Sequence, residues 1–162
     1  MAAVSDRDRA PGEKTRRPRD ELGRHLPWGE ENRLRMEDFD AHPLEENHRL
    51  GMAHFDEGRF FPAHEAWETA WKQARGTRDE EFFKGLSQLG AGYTHYRRGN
   101  PHGAFTLIRR GTRRIRPYGP RHRGMDVASL ADQAEAQASA IEVEYRLGRS
   151  LPEIDPPRIA PG

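Results

Sequence analysis

The sequence predicts an all-α protein, a compact antiparallel bundle of four or five helices with disordered N- and C-terminal tails. Three observations predict this fold class. Apolar residues recur at three- and four-residue spacing in segments between positions 43 and 147, and no segment alternates as a strand would. Short connections join these segments, which favours antiparallel neighbours. Residues 1–42 are highly charged and residues 148–162 are rich in proline, so we expect a disordered N-terminal segment and an extended C-terminal tail.

The first two predicted helices are separated by a glycine. The first helix runs from about residue 43 to residue 57, and Gly58 provides its C-terminal stop. Pro62 lies in the first turn of the second helix, where its missing N–H group costs nothing. The second helix carries an apolar stripe made of Ala63, Trp67, Ala70, Trp71 and Ala74. This stripe has the period of a helix that packs on one face.

The third predicted helix runs to about residue 98 and is interpreted as the central one. Thr77, with Glu80 three residues later, forms a capping-box pattern at its start. Its apolar face consists of Phe82, Leu86, Leu89, Tyr93 and Tyr96. A second, narrow face carries Gly85 and Gly92. Since each glycine inside a helix costs about 1 kcal/mol relative to alanine, we expect another backbone to approach closely at that face.

The last two predicted helices begin at recognisable caps. Asn100, followed by Pro101, predicts the start of the fourth helix, and Pro117 and the residues after it end that helix. Asp126 is the predicted cap of the fifth helix. The inward residues of these two helices are Ala104, Leu107, Ile108, Gly111 and Ile115, then Val127, Leu130, Ala131, Ala134, Ala138, Ile141 and Tyr145.

The composition excludes several classes of protein. The formal net charge is +1, so no global field attracts nucleic acid or a membrane surface. The chain has no cysteine, which excludes disulfides, thiolate catalysis and cysteine-based zinc sites. No segment approaches the roughly 20 apolar residues of a membrane helix, and the N-terminus lacks the apolar core of a secretory signal. We therefore expect a soluble, cytoplasmic protein.

Polar side chains interrupt the apolar pattern of the second and third helices. His64 and Glu68 share one edge of the second helix, and Gln88 and His95 share one edge of the third. If the two edges meet, these four groups converge, and each needs a partner because an unpaired polar group is costly to bury. Glu65 belongs to the same candidate cluster, but it lies about 100° round the helix from His64, so we expect its side chain to face solvent.

The same helices carry a long, ordered motif. Its residues are Phe55, Gly58, Phe60, Phe61, Ala63, His64, Glu65, Glu68 and Trp71, then Gly85, Leu86, Gln88, Leu89, His95, Gly99, Asn100, Gly103 and Ala104. In this motif the chain resembles the bacterial and archaeal family called domain of unknown function 309 (DUF309), over about residues 44 to 116. The resemblance implies a compact all-α bundle and no particular activity. Pro62, Ser87, Gly90 and Gly92 depart from the family's usual residues, which affects the packing of the third helix.

The polar cluster has three open interpretations. A hydrogen-bonded pair between two helices can fix their register, which is a structural role. Alternatively, His64, Glu68 and His95 offer two imidazoles and a carboxylate, a set that a divalent metal such as zinc or iron accepts. In the third interpretation Glu68 orients His64 as a general base in a reaction of unknown class. The sequence therefore leaves open whether the protein is an enzyme and which metal or small polar ligand it binds.

Two further histidines are given structural interpretations. His48 lies on the apolar side of the first predicted helix, and we expect it to be buried at the core edge with a hydrogen-bond partner. His122 lies in a segment flanked by proline and glycine, and we expect it to be solvated. Neither residue is expected to belong to a site.

Arginines crowd the fourth predicted helix on the side away from its apolar stripe. The candidate anion-binding residues are Arg109, Arg110, Arg113 and Arg114. Such a stripe can bind phosphate groups weakly, with an affinity that depends on salt, and the alternative is a solvated face. No aromatic residue lies among them for base stacking, so sequence-specific RNA recognition is not predicted. The other candidate partner is a second copy of the chain, in a homodimer formed through the fifth helix.

Overall fold

The computed structural model describes residues 17–159 and contains five α-helices within that range. They are α1 (Leu44–Asp56), α2 (Phe60–Gln73), α3 (Glu80–Arg97), α4 (Pro101–Ile115) and α5 (Val127–Arg146). Two 3-10 turns, Phe39–Ala41 and Arg116–Tyr118, and an antiparallel pair of short strands, β1 (Arg121–His122) and β2 (Met125–Asp126), accompany them. The predicted all-α bundle is confirmed. None of these five helices is long and apolar enough to span a membrane. The parts of the two predicted tails at residues 1–16 and 160–162 lie outside the described residues.

The helices pack in the order in which they follow one another along the chain. Contacts join α1 to α2, α2 to α3, α3 to α4, and α4 to α5. The two most extensive interfaces are those of α3, so the sequence prediction that this helix is central is confirmed. Its fully buried side chains include Phe82, Phe83, Leu86, Leu89 and Tyr93.

Glycines, which have no side chain, allow neighbouring helices to approach closely on both sides of α3. A Cβ atom at Gly85 would lie 3.0 Å from the carbonyl oxygen of Gly111 on α4, and Gly92 is similarly close to that helix. On the α2 side, a Cβ atom at Gly90 would lie 2.9 Å from the backbone of His64. The predicted glycine face thus packs on α4, and Gly90 adds a second close approach that positions the candidate site.

Two of the three predicted caps are confirmed. The side chain of Asn100 accepts a hydrogen bond from the N–H of Gly103 at the start of α4. The side chain of Asp126 accepts one from the N–H of Ser129 at the start of α5. These bonds satisfy N–H groups that a helix leaves unpaired in its first turn.

The prediction that Thr77 caps the third helix is wrong. The α3 helix begins at Glu80, and the residue at its cap position, Asp79, makes no capping hydrogen bond. The hydroxyl of Thr77 donates instead to the carbonyl oxygen of Ala74, the residue that follows α2, at 2.6 Å. Asp79 is not available as a cap because its carboxylate accepts hydrogen bonds from His122 and Arg123.

The proline-rich segment after α5 has no helix or strand through residue 159, and it contacts the bundle. The hydroxyl of Tyr96 donates to the carbonyl oxygen of Pro152 at 2.7 Å and accepts from the N–H of Ile154 at 3.1 Å. The side chain of Gln137 donates to the backbone one residue further on, at 2.6 Å. No periodicity in the sequence indicated these contacts, because they are made to backbone groups.

Residues 17–37 form a separate compact unit. Within it an isolated antiparallel bridge pairs Arg19 with His25. The carboxylate of Asp20 accepts hydrogen bonds from the backbone N–H groups of Leu22 and Arg24, which closes the turn between the bridge partners. This unit has its own local hydrogen bonds.

Candidate metal centre

The site is built where α2 passes the middle of α3. His64 lies in the second turn of α2 and is half-buried, and Ser87 and Gly90 lie on the facing side of α3. Because Gly90 has no side chain, the α3 backbone can approach the backbone of His64. The close approach brings the imidazole of His64 within hydrogen-bond distance of Ser87.

The position of Ser87 decides which ring nitrogen of His64 carries the proton. Nδ1 lies 2.8 Å from the backbone oxygen of Ser87 and 2.9 Å from its hydroxyl oxygen. A carbonyl oxygen can only accept a hydrogen bond, so Nδ1 is the protonated nitrogen. The hydroxyl of Ser87 can then accept from the same N–H and donate to the carbonyl oxygen of His64, 3.4 Å away. In the neutral ring, Nε2 is therefore left with a lone pair.

The carboxylate of Glu68 lies near that lone pair, and Glu65 belongs to the same group of side chains. Nε2 of His64 is 3.5 Å from Oε2 of Glu68, whose other oxygen is 4.0 Å from the ammonium of the exposed Lys72. One ligand atom from each of His64, Glu65 and Glu68 lies within 4.8 Å of the other two, and all three residues are half-buried. The expectation that Glu65 faces solvent is wrong. A turn of about 100° separates its Cα from that of His64, but its long side chain brings the carboxylate back to the cluster.

The other two predicted cluster residues lie elsewhere. Gln88 faces α4, where its side-chain oxygen accepts a hydrogen bond from Nε of Arg114 at 2.9 Å. His95 lies in the last turn of α3, and its Nδ1 is 3.0 Å from the amide nitrogen of Asn100. The structure therefore brings together His64, Glu65 and Glu68, and it adds Ser87, which the sequence reading treated only as a departure from the family pattern.

His95 nevertheless remains electrostatically coupled to the cluster. Burial lowers the pKa of His95 below its usual value, and the charges of Arg98 and His64 lower it further.

The comparisons with known proteins agree with the motif. Residues 48–107 match the family model described as Domain of unknown function (DUF309). The matched range contains the whole of the His64 cluster, and its description assigns no activity. Neither the comparison with curated proteins nor the comparison with solved structures gave a match.

The four candidate arginines lie just beyond the matched range and divide into two pairs. Arg109 donates to Glu142 on α5 at 2.7 Å, and Arg114 donates to Glu81 on α3 at 2.8 Å. These two residues join helices. Arg110 and Arg113 are exposed and form no ion pair within residues 17–159. Only this second pair presents charge that an external anion could use.

A polar network that the sequence reading missed joins the start of α3 to the β1–β2 turn. Asp79 is buried, and its carboxylate accepts hydrogen bonds from Nε2 of His122 at 3.0 Å and from Arg123. Arg123 also donates to Glu45 on α1 at 2.6 Å. We call Glu45, Asp79, His122 and Arg123 the Asp79 network. The expectation that His122 is solvated is wrong, because the turn folds it back onto Asp79.

The Asp79 network is electrostatically coupled. Burial raises the pKa of Asp79, but the hydrogen bonds from Arg123 and His122 lower it more, so the pKa lies below its ordinary value. Arg123 has a φ of 46°, in the left-handed region that side chains rarely adopt, and its contacts hold it there. An acidic residue just before a helix, such as Asp79, is typically interpreted as a cap. Its contact with His122, 43 positions later in the chain, is not indicated by any pattern in the sequence.

His48 is buried, as expected, and it links three elements. Nε1 of Trp67 donates to its Nδ1 at 3.2 Å, so Nε2 carries the proton and donates to the backbone oxygen of Arg123, also at 3.2 Å. Burial lowers the pKa of His48, and the charge of Arg123 contributes to the decrease. Both nitrogens have partners inside the protein, so His48 is a structural histidine.

Proposed function

We propose that the DUF309 domain binds a divalent cation through Nε2 of His64 and the carboxylates of Glu65 and Glu68. The observation that carries this proposal is the hydrogen bond from Nδ1 of His64 to the backbone oxygen of Ser87. Histidines that bind metals almost always donate their other ring N–H to a carbonyl or carboxylate, which fixes the tautomer and aims the lone pair. His64 has this arrangement, and its lone pair lies beside the carboxylate of Glu68, with Glu65 in the same group.

The distances support the proposal. Two ligands at about 2.1 Å from a tetrahedral zinc ion are about 3.4 Å apart. The separation between Nε2 of His64 and Oε2 of Glu68 is 3.5 Å. A small rotation of Glu65 would complete a three-ligand set, since its carboxylate already lies within 4.8 Å of the other two donors. One imidazole and two carboxylates suit zinc, manganese or iron, and they leave coordination positions open.

The arrangement of Ser87 argues against a serine nucleophile at this site. Ser87 is buried, and the ring nitrogen that faces its hydroxyl is the protonated one, which cannot accept the hydroxyl proton. An activated serine needs a neighbouring base with a free lone pair. Here that lone pair belongs to Nε2, which faces Glu68. The role of Ser87 is therefore to orient His64 through its backbone oxygen.

Calorimetric titration of the full-length protein with Zn²⁺ and with Mn²⁺ tests the proposal. We expect one cation per chain, with affinity reduced at least about tenfold by His64→Gln and by Glu68→Gln. Matched controls are His102→Gln and Glu57→Gln, at an exposed histidine and an exposed glutamate outside the cluster. Wild-type protein that is folded by circular dichroism but binds no stoichiometric cation would refute the proposal and leave the His64–Ser87 bond as a purely structural link between α2 and α3.

A second candidate function is weak anion binding by Arg110 and Arg113. The observation that favours it is their exposure without an ion pair in the described part of the chain, in contrast to Arg109 and Arg114. We expect a single-stranded RNA oligomer to bind with strongly salt-dependent affinity, and Arg110→Gln with Arg113→Gln to abolish that binding. Binding that survives this double substitution would dismiss the function.

A further inference from the structure

Helix α5 has an apolar face on each of two opposite sides. Its core face is buried and consists of Val127, Leu130, Ala131, Ala134, Ala138 and Ile141. A second apolar set is exposed and recurs at intervals of four, three and four residues, namely Ala136, Ala140, Val143 and Leu147. At about 100° per residue, this second set lies on the side of the helix opposite the core face. We call these four residues the outer stripe.

The outer stripe has the pattern of a surface that packs on another helix. The outward side of a surface helix normally carries charged or polar residues. Here Val143 and Leu147 are 53% and 57% exposed. Apolar residues at alternating intervals of three and four form the seam along which two helices pack. Because α5 packs chiefly on α4 through its core face, the outer stripe is available to a helix from outside the chain.

Charges on one border of the outer stripe indicate which helix fits it. Asp132 and Arg146 lie on the same border, about four turns apart. Their side chains are 71% and 70% exposed, although each has a partner within the chain, Arg116 and Glu142 respectively. Two antiparallel copies of α5 would bring Asp132 of one copy next to Arg146 of the other, at both ends of the contact. A parallel pair would instead place like charges together, which is unfavourable.

The sizes of the stripe residues favour the same arrangement. The two-fold axis that pairs Asp132 with Arg146 passes near residues 139 and 140. About this axis, Val143 of one copy lies beside Ala136 of the other, so a large side chain faces a small one. The two copies of Ala140 lie next to the axis, where their short side chains allow the helices to approach closely. Charge and shape therefore select the same antiparallel pairing.

We propose that the outer stripe is a homodimer interface, in which the α5 helices of two copies pack antiparallel and Asp132 of each copy pairs with Arg146 of the other. The same surface of both copies is used, as a two-fold axis requires. Helix α5 has 20 residues and is therefore about 30 Å long. Two single helices of this length bury less than the roughly 1,600 Å² of a standard interface, so the dimer is weak and reversible, with a dissociation constant of about 10–100 μM. This interface is independent of the proposed cation site.

Sedimentation velocity of the purified whole chain from about 1 to 300 μM tests the proposal. We expect a monomer at the lowest concentrations and a dimer at the highest. Val143→Glu is expected to raise the dissociation constant at least about tenfold, because it puts a charge into the apolar contact. Trp28→Glu is the matched control, since Trp28 is also 53% exposed but lies outside α5. It should leave the dissociation constant within about twofold.

Exchange of the two border charges distinguishes a second copy from any other partner. Asp132→Arg alone and Arg146→Asp alone are each expected to raise the dissociation constant about threefold to tenfold. The double variant is expected to return it close to the wild-type value, because the exchanged charges again face each other across the two-fold axis. The partners within the chain, Arg116 and Glu142, are unchanged, so they would be repelled in the double variant and cannot cause the recovery.

Circular dichroism shows whether each variant retains the helical content of the wild-type protein. A wild-type protein that stays monomeric over the whole concentration range would overturn this inference. A dimer that Val143→Glu leaves intact, or losses in the single charge variants that the double variant does not reverse, would do the same. Dissociation by Trp28→Glu instead of Val143→Glu would place the interface on another surface.

Discussion

Gly90 lies directly against the backbone of His64. A Cβ atom at position 90 would be 2.9 Å from both Cα and N of His64 and 3.1 Å from its Cβ. Backbone atoms cannot move aside as the end of a side chain can, so the distance between α2 and α3 at this point depends on the missing side chain. The same distance sets the hydrogen bond between His64 and Ser87, and therefore the orientation of the candidate ligand.

Gly90→Ala is expected to separate the two helices and disturb the site. Overpacking of a well-packed interface costs about 1–3 kcal/mol, partly offset by the higher helix propensity of alanine. We expect urea denaturation to show a lower free energy of unfolding and calorimetry to show weaker Zn²⁺ binding. Gly92→Ala is the control, because its new Cβ would lie 2.7 Å from a side-chain atom of Ile108 on the α4 side. It should lower stability without changing the Zn²⁺ affinity, and equal losses of affinity in both variants would contradict the prediction.

The elements of the fold could be predicted because they depend on local patterns. Apolar periodicity identified all five helices, and the caps at Asn100 and Asp126 act within three residues of themselves. The start of α3 could not be predicted in the same way. Thr77 and Glu80 have capping-box spacing, but Asp79 is held by groups more than 40 positions away, and that tertiary contact decides where the helix begins.

The candidate site was predicted in part for a related reason. His64 and Glu68 lie on one helix, four residues apart, so their proximity follows from helix geometry. The choice among Ser87, Gln88 and His95 depended on the rotation of α3 relative to α2, which the sequence does not specify. Adjacent residues of a helix point about 100° apart, so a change of one position turned the expected Gln88 contact into a Ser87 contact.

His48→Leu is expected to destabilise the protein by about 1–3 kcal/mol, because it leaves two buried hydrogen-bonding groups without partners. These groups are the indole N–H of Trp67 and the carbonyl oxygen of Arg123. Urea denaturation at pH 8, where the imidazole is neutral, measures the loss. His102→Leu, at an exposed histidine, should change stability by less than about 0.5 kcal/mol. A similar loss in both variants would show that the two hydrogen bonds of His48 contribute nothing specific.

The stability of the wild-type protein is expected to fall as the pH decreases through the ordinary histidine value of 6.5. The folded pKa of His48 is lowered, chiefly by burial, so the unfolded chain binds the proton more readily than the folded protein does. The contribution of neutral His48 to the free energy of unfolding is therefore fully present above the unfolded pKa. It decreases as the pH falls from the unfolded pKa to the folded pKa. Arg123, Glu45 and His122 are the charged or titratable groups nearby. The slope of unfolding free energy against pH should be smaller in His48→Leu, and an unchanged slope would assign it to other groups.

Asp79→Ala is expected to be more destabilising than the loss of an exposed ion pair. It removes the shared acceptor of His122 and Arg123 and leaves both partly buried donors unpaired, at a cost of about 2–4 kcal/mol. Asp132→Ala, which breaks the exposed pair with Arg116, should cost less than about 1 kcal/mol. Thermal denaturation compares the two variants at pH 7. Because the pKa of Asp79 is lowered, the stability that its carboxylate contributes is present above the unfolded carboxyl pKa and is lost as the pH falls through the folded value. The difference in stability between the two variants should therefore disappear in acid.

Tyr96→Phe is expected to loosen the C-terminal segment from the bundle. The hydroxyl is both a donor to Pro152 and an acceptor from the N–H of Ile154, so its removal breaks two contacts that hold the segment by its backbone. We expect amide hydrogen exchange at Ile154 to accelerate about tenfold, the factor that corresponds to about 1.4 kcal/mol, while amides in α3 stay protected. Tyr145→Phe is the control, since the hydroxyl of this exposed tyrosine makes no hydrogen bond within residues 17–159. Exchange at Ile154 that is equally slow in both variants would show that apolar contacts, and not the hydroxyl of Tyr96, hold the segment in place.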